Sequence, residues 1–164
     1  MFIIIVAVGV IILIALLLFG LQGPPFVASD DDSAAQMIEM IGKLKPHHIL
    51  DMGSGNGKLV ILLAAKGYKV DGIELNPLLV WRSRRSIKKV GLQDRATIKW
   101  GSFWTYDVAE YDIIVLYVIK HIMPRLEKKL QAELKPGASI ISNYFVFPNL
   151  KPIKSTSRAH AYKI

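Results

Sequence analysis

The sequence predicts an α/β fold with a mostly parallel sheet and helices on both faces. Short apolar runs alternate with amphipathic helical patterns along most of the chain, which is typical of consecutive β–α units. The run at residues 48–51 is continuously apolar up to its final acid, as expected of a strand that is buried on both faces. It ends in a glycine-dense turn, Asp51-Met52-Gly53-Ser54-Gly55-Asn56-Gly57, and such turns join a strand to a helix beside a bound ligand.

Capping and breaking residues set the bounds of the predicted elements. Ser33 begins the first helix with a capping box to Gln36, and Pro46 ends it. Asn76 followed by Pro77 predicts another helix start, because Asn is a preferred N-cap and Pro suits the first helical position. The predicted helices are 33–45, 58–65, 77–90 and 121–134, and the predicted strands are 48–51, 70–75, 96–100, 111–118, 138–147 and 157–164.

An apolar segment precedes this pattern. Residues 1–29 contain no charged side chain, and residues 2–21 are almost unbroken Ile, Val, Leu, Ala and Phe. A helix needs ~20 apolar residues to span a bilayer, whereas a cleaved signal peptide has a charged start and an apolar stretch of only ~7–15 residues. We therefore expect a single-pass membrane protein that contacts the lipid bilayer through residues 2–21. The expected organisation is a transmembrane anchor over 1–21, a linker over 22–32 and one folded domain over 33–164.

Composition narrows the range of partners. The 164 residues carry a formal net charge of +8 and no cysteine, which excludes disulfides, thiolate catalysis and zinc–cysteine sites. No group of acids and histidines has metal-ligand spacing, and no basic-aromatic array predicts a nucleic-acid surface. We therefore expect no metal and no nucleic acid as a partner. All of the basic residues follow the apolar segment, where they can be attracted to anionic lipid headgroups.

The spacing of the glycines distinguishes between cofactor classes. Gly53, Gly55 and Gly57 are spaced G-x-G-x-G, which differs from the G-x-G-x-x-G of dinucleotide-binding folds. A phosphate-binding P-loop is also excluded, because Leu59 follows Lys58 where that motif needs Ser or Thr. An acid, Glu74, lies at the end of the second predicted strand, where a carboxylate can accept hydrogen bonds from both hydroxyls of a ribose. These features predict a nucleoside-containing cofactor without a pyrophosphate.

The D-x-G-x-G-x-G spacing followed by an acid resembles the first two motifs of class I S-adenosylmethionine-dependent methyltransferases. Three further runs narrow the resemblance to one family within this class. They are Gly-Ile-Glu-Leu-Asn-Pro-Leu-Leu-Val-Trp at 72–81, Leu-Glu-Lys-Lys-Leu at 126–130 and Pro-Phe-Val at 25–27. It is similar to the small membrane-associated lysine methyltransferases that modify the c-ring protein of ATP synthase and the mitochondrial ADP/ATP carrier, and to their prokaryotic relatives. The resemblance covers about residues 24–164 and implies a Rossmann-like class I methyltransferase fold, S-adenosyl-L-methionine as cofactor and a lysine of a membrane protein as acceptor. Because this cofactor is made in the cytosol, we expect the catalytic domain to face the cytoplasm.

The resemblance also implies which residues hold the cofactor. The glycine loop would line its methionine part, Glu74 would hold the ribose, and the two residues after it would flank the adenine. Two positions depart from the family: Asn56 replaces a usual acid, and Ser102 replaces an acid that commonly contacts the adenine amino group. The implied cofactor-binding residues are Asp51, Gly53, Ser54, Gly55, Asn56, Gly57, Glu74, Leu75, Asn76, Ser102 and Phe103.

Aromatic residues at predicted strand ends are candidates for the acceptor pocket. Tyr117, Tyr144 and Phe145 can surround a lysine amine, which must be neutral to react and is kept neutral by desolvation. Core packing is the competing interpretation for these side chains. The segment 118–120, Val-Ile-Lys, replaces a Gly-Val-Pro that is frequent in the family on the acceptor side. No catalytic residue is assigned.

Other functions stay open at this point. The same chemistry on a small or lipid-like molecule is one, and a non-catalytic S-adenosylmethionine-binding module is another, favoured by the departures at Ser102 and 118–120. A nicotinamide-dependent oxidoreductase is disfavoured by the glycine spacing. The helix 77–90 carries a cluster of cations that either solvates the domain or docks on anionic lipid or an acidic membrane partner; these are Arg82, Arg84, Arg85, Lys88 and Lys89.

Overall fold

The computed structural model describes residues 4–11, 13, 31–44 and 48–164. Its helices are α1 (Asp31–Gly42), α2 (Lys58–Ala65), α3 (Pro77–Lys89) and α4 (Met123–Glu133), the last preceded by a 3-10 turn at Lys120–Ile122. Its strands are β1 (His48–Met52), β2 (Lys69–Glu74), β3 (Ala96–Trp100), β4 (Ile113–Leu116), β5 (Ser139–Asn143), β6 (Lys154–Ser155) and β7 (Ala159–Lys163).

The strands form one sheet in the order β3-β2-β1-β4-β5-β7-β6. The first five are parallel, whereas β7 runs antiparallel to β5 and β6 antiparallel to β7. The connections reverse direction between β1 and β4, so the loops that follow these two strands diverge and leave a crevice where ligands bind in such sheets. We call this side the carboxyl edge; it is defined by the ends of the parallel strands at Met52, Glu74, Leu116 and Asn143.

Helices cover both faces of the sheet, as predicted. On one face α1, α2 and α3 pack over a core that includes Met37, Ile49 and Leu63. On the other face α4 and the segment 101–112 pack over a second core that includes Leu50 and Leu126. Adjacent residues of β1 therefore enter different cores while both are fully buried, which explains why the strand is continuously apolar.

Several elements begin or end where the sequence predicted, because the signals are local. The bounds of α2 and β3 match the prediction. The start of α3 is also confirmed, since Asn76 Oδ1 accepts hydrogen bonds from the backbone N–H groups of Leu78 at 3.0 Å and Leu79 at 3.4 Å. The first helix instead begins at Asp31, two residues before the predicted start at Ser33.

The later strands are shorter than predicted. β4 occupies only the middle of the predicted strand 111–118. The predicted strand 138–147 ends at Asn143, because Tyr144 adopts a φ of 58° and the backbone N–H of Phe145 turns back to donate to Asn143 O at 2.7 Å. The short strand β6 was not predicted, since two polar residues carry no periodic signal.

The predicted anchor, residues 2–21, lies largely outside the described residues, and so do residues 22–30 of the predicted linker. Residues 4–11 and 13 are helical, with apolar side chains such as Ile4 and Ile11 exposed. Within the parts of the chain described, no helix is both long enough and apolar enough to cross a membrane.

A polar cluster centred on the buried Asp71 attaches the segment 101–112 to the sheet. The hydroxyl of Tyr111 donates to Asp71 Oδ2 at 2.8 Å, and the same oxygen lies 3.2 Å from both His48 Nε2 and Lys99 Nζ. Lys99 also donates to the hydroxyl of Tyr106. The cluster thus links the first three strands to the segment that begins with the predicted adenine-side residues.

Candidate functional site

The glycine loop between β1 and α2 lies against the end of β2. The backbone N–H groups of Gly53 and Ser54 both donate to Ile73 O, at 2.9 and 3.1 Å. Gly53, Gly55 and Gly57 all have positive φ, at 80°, 54° and 76°, a region that other residues enter only with strain. The backbone therefore requires glycine at all three positions, and the loop is placed in the crevice at the carboxyl edge.

Ser54 occupies space that a fourth glycine provides. A Cβ at Gly72 on β2 would lie 2.6 Å from Ser54 Oγ and 2.7 Å from Ile98 Cδ1, so β2 needs glycine here for the loop to approach. Ser54 is buried, and its hydroxyl has no hydrogen-bond partner. Buried hydroxyls are normally paired, so this one is a candidate contact for a bound ligand or water.

Glu74 joins the glycine loop to the start of α3. Its Oε2 accepts from the N–H of Gly55 at 2.9 Å, and its Oε1 accepts from the N–H of Asn76 at 2.8 Å. A carboxylate has about four lone-pair sites, so each oxygen keeps capacity for another donor. The side chain can thus organise the loop and accept from two vicinal hydroxyls at once.

Asp51, at the penultimate position of β1, is buried close to this carboxylate. Burial and the negative charge of Glu74 raise the pKa of Asp51 from an ordinary 3.8 to about 7. No lysine, arginine or histidine in the described part of the chain forms an ion pair with either carboxyl group. Two acids without a counter-cation suit a ligand that brings positive charge.

The adenine-side residues gather beside Glu74. The N–H of Gly101 donates to Glu74 O at 3.0 Å, which places Ser102 at the carboxyl edge. Leu75 O accepts from Trp100 Nε1 at 2.9 Å. Phe103 packs partly against the second core. Ser102 is partly exposed, and its hydroxyl can replace only part of the hydrogen bonding of the family's acid.

The loop residue Asn56 keeps a capping role. Its Oδ1 accepts from the N–H of Lys58, the first residue of α2, at 3.2 Å. The N-cap itself is Gly57, which has no side chain to cap with. Asn56 therefore satisfies one of the free N–H groups at this helix start without adding a third negative charge to the loop.

On the acceptor side the structure brings two of the three predicted aromatics together. The ring centroids of Tyr117 and Tyr144 are 6.1 Å apart. Tyr144 is 41% exposed, and its backbone N–H donates to Arg158 O at 2.8 Å. Phe145 packs against the second core instead.

Asn143 is a residue that the sequence analysis did not single out. It ends β5 and is fully buried, yet neither its side-chain oxygen nor its side-chain nitrogen has a hydrogen-bond partner. Because β4 and β5 pair Leu116 with Ser142, the next residues, Tyr117 and Asn143, lie side by side. The available signal in the sequence is a polar residue at the end of an apolar run, within the predicted strand 138–147.

Gly57→Ala is expected to destabilise the fold more than an alanine at an unconfined glycine. A Cβ at Gly57 would lie 2.9 Å from Ser83 Cβ, and φ is positive. Gly91→Ala is the matched control, because φ is +70° there and nothing lies within 4 Å. Urea unfolding should give Gly57→Ala a free energy of unfolding lower than that of Gly91→Ala by about 1–3 kcal/mol. Equal stabilities would mean that α3 does not confine the loop.

Comparisons with known proteins show which proteins this chain resembles. A family profile described as "ANTKMT methyltransferase domain" matches residues 51–154, which include the glycine loop and Glu74. A solved RNA methyltransferase from Salinibacter ruber, in complex with S-adenosyl-L-homocysteine, is similar with a TM-score of 0.80 and 25% identity. The match covers 84% of this chain and 94% of that chain, and it confirms the predicted Rossmann-like class I methyltransferase fold.

Two curated relatives are similar in sequence. A Mus musculus lysine N-methyltransferase, named for its action on the c-type subunit of ATP synthase, is 35% identical over 132 residues, which cover 80% of this chain and 53% of that protein. A protein-lysine N-methyltransferase of Saccharolobus islandicus is 28% identical over 131 residues, 78% of this chain and 81% of that protein. The chain thus spans about half the length of the mouse relative.

Proposed function

Because the chain belongs to the ANTKMT methyltransferase domain family, we propose that it is an S-adenosylmethionine-dependent protein-lysine N-methyltransferase acting on a membrane protein. The observation that carries the proposal is the pair of carboxyl groups, Asp51 and Glu74, that meet at the glycine loop without a counter-cation. A methyl donor with a positive sulfonium and a positive amino group neutralises this pair, whereas a nicotinamide dinucleotide brings further negative charge.

The described residues fit each part of this cofactor. S-adenosylmethionine, when bound, supplies a methyl group on a positively charged sulfur. Asp51 and the loop would hold the charged methionine part, and the free hydroxyl of Ser54 adds a polar contact there. Glu74 would accept from the ribose hydroxyls, and the segment of Leu75 and Ser102 would flank the adenine.

The acceptor side has to supply a neutral amine. A lysine with an ordinary pKa of ~10.4 is about 0.1% neutral at physiological pH, which costs ~4 kcal/mol. Tyr117 and Tyr144 can desolvate the amine and so lower its pKa. A protein lysine is supported by the names of the relatives, which include an adenine nucleotide translocase lysine N-methyltransferase of Mus musculus, 29% identical over 147 residues.

A membrane location suits this reaction. We propose that residues 2–21 anchor the chain in the bilayer as a single span and that the catalytic domain faces the cytoplasm, where the cofactor is made. The support is the absence of any charged side chain in residues 1–29. Confinement to the bilayer raises the effective concentration of a membrane-bound acceptor.

The anchor gives a prediction that uses the whole chain. Ile11→Arg combined with Leu13→Arg should move the protein from carbonate-washed membranes to the supernatant, because a charge in the middle of a spanning helix costs ~2.5–3.5 kcal/mol. Ile153→Arg is the matched control, since Ile153 is 60% exposed on the folded domain. A double variant that stays in the membrane pellet would refute the anchor.

The function itself is tested with S-adenosylmethionine labelled in its methyl group. Membranes that contain the full chain should transfer label to protein, and mass spectrometry should locate it on lysine. Glu74→Ala is the inactive control. Label that resists protease but is extracted by organic solvent would favour a lipid-like acceptor, and label that is sensitive to ribonuclease would favour RNA, the substrate in the name of the Salinibacter neighbour. Cofactor binding without any transfer would favour a non-catalytic module.

A further inference from the structure

We propose that the outer face of α3 is a second membrane contact that docks on anionic lipid headgroups. This α3 face consists of Leu78, Trp81, Arg82, Arg85, Lys88 and Lys89, all of them exposed. The inference rests on the membrane location proposed above and is independent of methyl transfer.

The charge of the α3 face is not neutralised. The helix contains five lysines and arginines and no acid. Arg84 is turned toward the sheet, where its Nε donates to Ile98 O at 2.8 Å. The other four cations form no ion pair with any acid in the described residues. A surface of this kind attracts anionic headgroups and is screened by salt.

The same face exposes large apolar groups at its amino-terminal end. Leu78 is 53% exposed and Trp81 is 57% exposed, and the guanidinium of Arg85 lies 5.7 Å from the centroid of the Trp81 ring. Trp100, which is 59% exposed, lies at the end of the neighbouring strand β3. Tryptophan is enriched at the boundary between lipid and water, where its ring is half apolar and half polar. Cations next to exposed Leu and Trp therefore fit a lipid surface better than plain solvation does.

The start of α1 lies at the same edge of the sheet as the start of the α3 face. Asp32, in the first turn of α1, lies 3.8 Å from the guanidinium of Arg158. Arg158 is at the carboxyl edge, because its carbonyl accepts from the N–H of Tyr144 just after β5. The chain thus enters α1 at the edge where Leu78 begins the α3 face. A bilayer at this edge would meet the amino-terminal end of the α3 face, where Leu78 and Trp81 are exposed.

Lipid quenching of tryptophan tests this inference in the full chain. The protein is reconstituted without cofactor in nanodiscs of brominated phosphatidylcholine, with or without phosphatidylglycerol. The fluorescence that is lost in Trp81→Phe reports Trp81, and it should be quenched only in the anionic discs. Arg82→Gln with Arg85→Gln should lower the ratio of docked to undocked protein by about fivefold for each cation removed. Lys128→Gln with Lys151→Gln, exposed cations elsewhere on the domain, is the control and should leave the ratio unchanged.

Three results would overturn the inference. Trp81 could remain unquenched in anionic discs, or be quenched equally in both lipids, or be quenched in a way that the arginine pair does not affect. Binding of single-stranded RNA that the arginine pair abolishes, with no lipid quenching, would assign the α3 face to nucleic acid. Since no cofactor is present, none of these results depends on whether methyl transfer occurs.

Discussion

Glu74→Ala is expected to weaken the binding of S-adenosylhomocysteine by ~30-fold or more. The side chain accepts from the N–H groups of Gly55 and Asn76, and it is the proposed acceptor for both ribose hydroxyls. Hydrogen bonds to a charged group contribute ~1.5–3 kcal/mol each, so losing even one of them has an effect of this size. Titration calorimetry on the full chain in detergent measures the dissociation constant directly.

Two controls separate the roles of this carboxylate. Asp94→Ala removes an equally negative but exposed side chain and should leave the affinity unchanged. An analogue of S-adenosylhomocysteine without the ribose hydroxyls should bind weakly to the unaltered chain. The Glu74→Ala substitution should reduce its affinity only slightly further. If Glu74→Ala instead lowered the affinity for the analogue by the same factor as the affinity for the full ligand, Glu74 would act only by organising the loop. An unchanged affinity for the full ligand would remove Glu74 from the site.

The second large effect concerns the stability of the protein without cofactor as the pH changes. Asp51 has a raised pKa of about 7 in the folded chain, against an ordinary 3.8 that applies when it is unfolded. At a pH between these two pKa values, Asp51 holds a proton in the folded state and has released it in the unfolded state. The free energy of unfolding should therefore be highest below about pH 4, fall as the pH rises toward 7, and change little from this cause above it.

Asp51→Asn should remove this part of the pH dependence. The difference in stability between the variant and the unaltered chain should grow in favour of the variant from pH 4 to pH 7, to the order of a few kcal/mol. Urea unfolding across this pH range measures it, with the exposed Asp94→Asn as control. The same variant should bind the cofactor more weakly, because it lacks a negative charge. Parallel pH profiles for Asp51→Asn and the unaltered chain would show that the carboxyl is not held neutral by its surroundings.

Much of the site could be predicted from the sequence because its causes are local. The positive φ angles at Gly53, Gly55 and Gly57 demand glycine, and a parallel strand that ends in an acid places that acid at the carboxyl edge. The N-cap at Asn76 likewise depends on a few adjacent residues. Each of these features needs no contact between distant parts of the chain.

What the sequence did not predict arises from contacts between distant residues. The missing counter-cation of Asp51 and Glu74 is a property of the assembled site, because basic residues are frequent along the chain and only the fold keeps them away. Glu127 lies in the run 126–130 that carries part of the family resemblance, and its side chain accepts hydrogen bonds from the N–H groups of Asn149, at 3.1 Å, and Leu150, at 2.6 Å. That buried acid fixes the loop before β6, and no local pattern indicates its partners.

The turn after β5 shows the same limit. A sequence of mainly β-forming residues, 138–147, predicts one long strand. The structure ends it at Asn143, where Ser142 Oγ donates to Phe145 O at 2.6 Å and Tyr144 takes a positive φ. A non-glycine residue in that region is strained and is retained only when its surroundings require it. Here the turn directs Tyr144 toward Tyr117 and away from the core that holds Phe145.

The central claim is that the glycine loop, Asp51 and Glu74 form a site for a positively charged methyl donor rather than for a dinucleotide. The most direct measurement is calorimetric titration of the full chain with S-adenosylmethionine, S-adenosylhomocysteine and NAD in parallel. We expect one molecule of each of the first two to bind per chain with micromolar affinity, and no heat from NAD. A folded chain that binds neither sulfur compound, or that binds NAD as tightly, would contradict the claim.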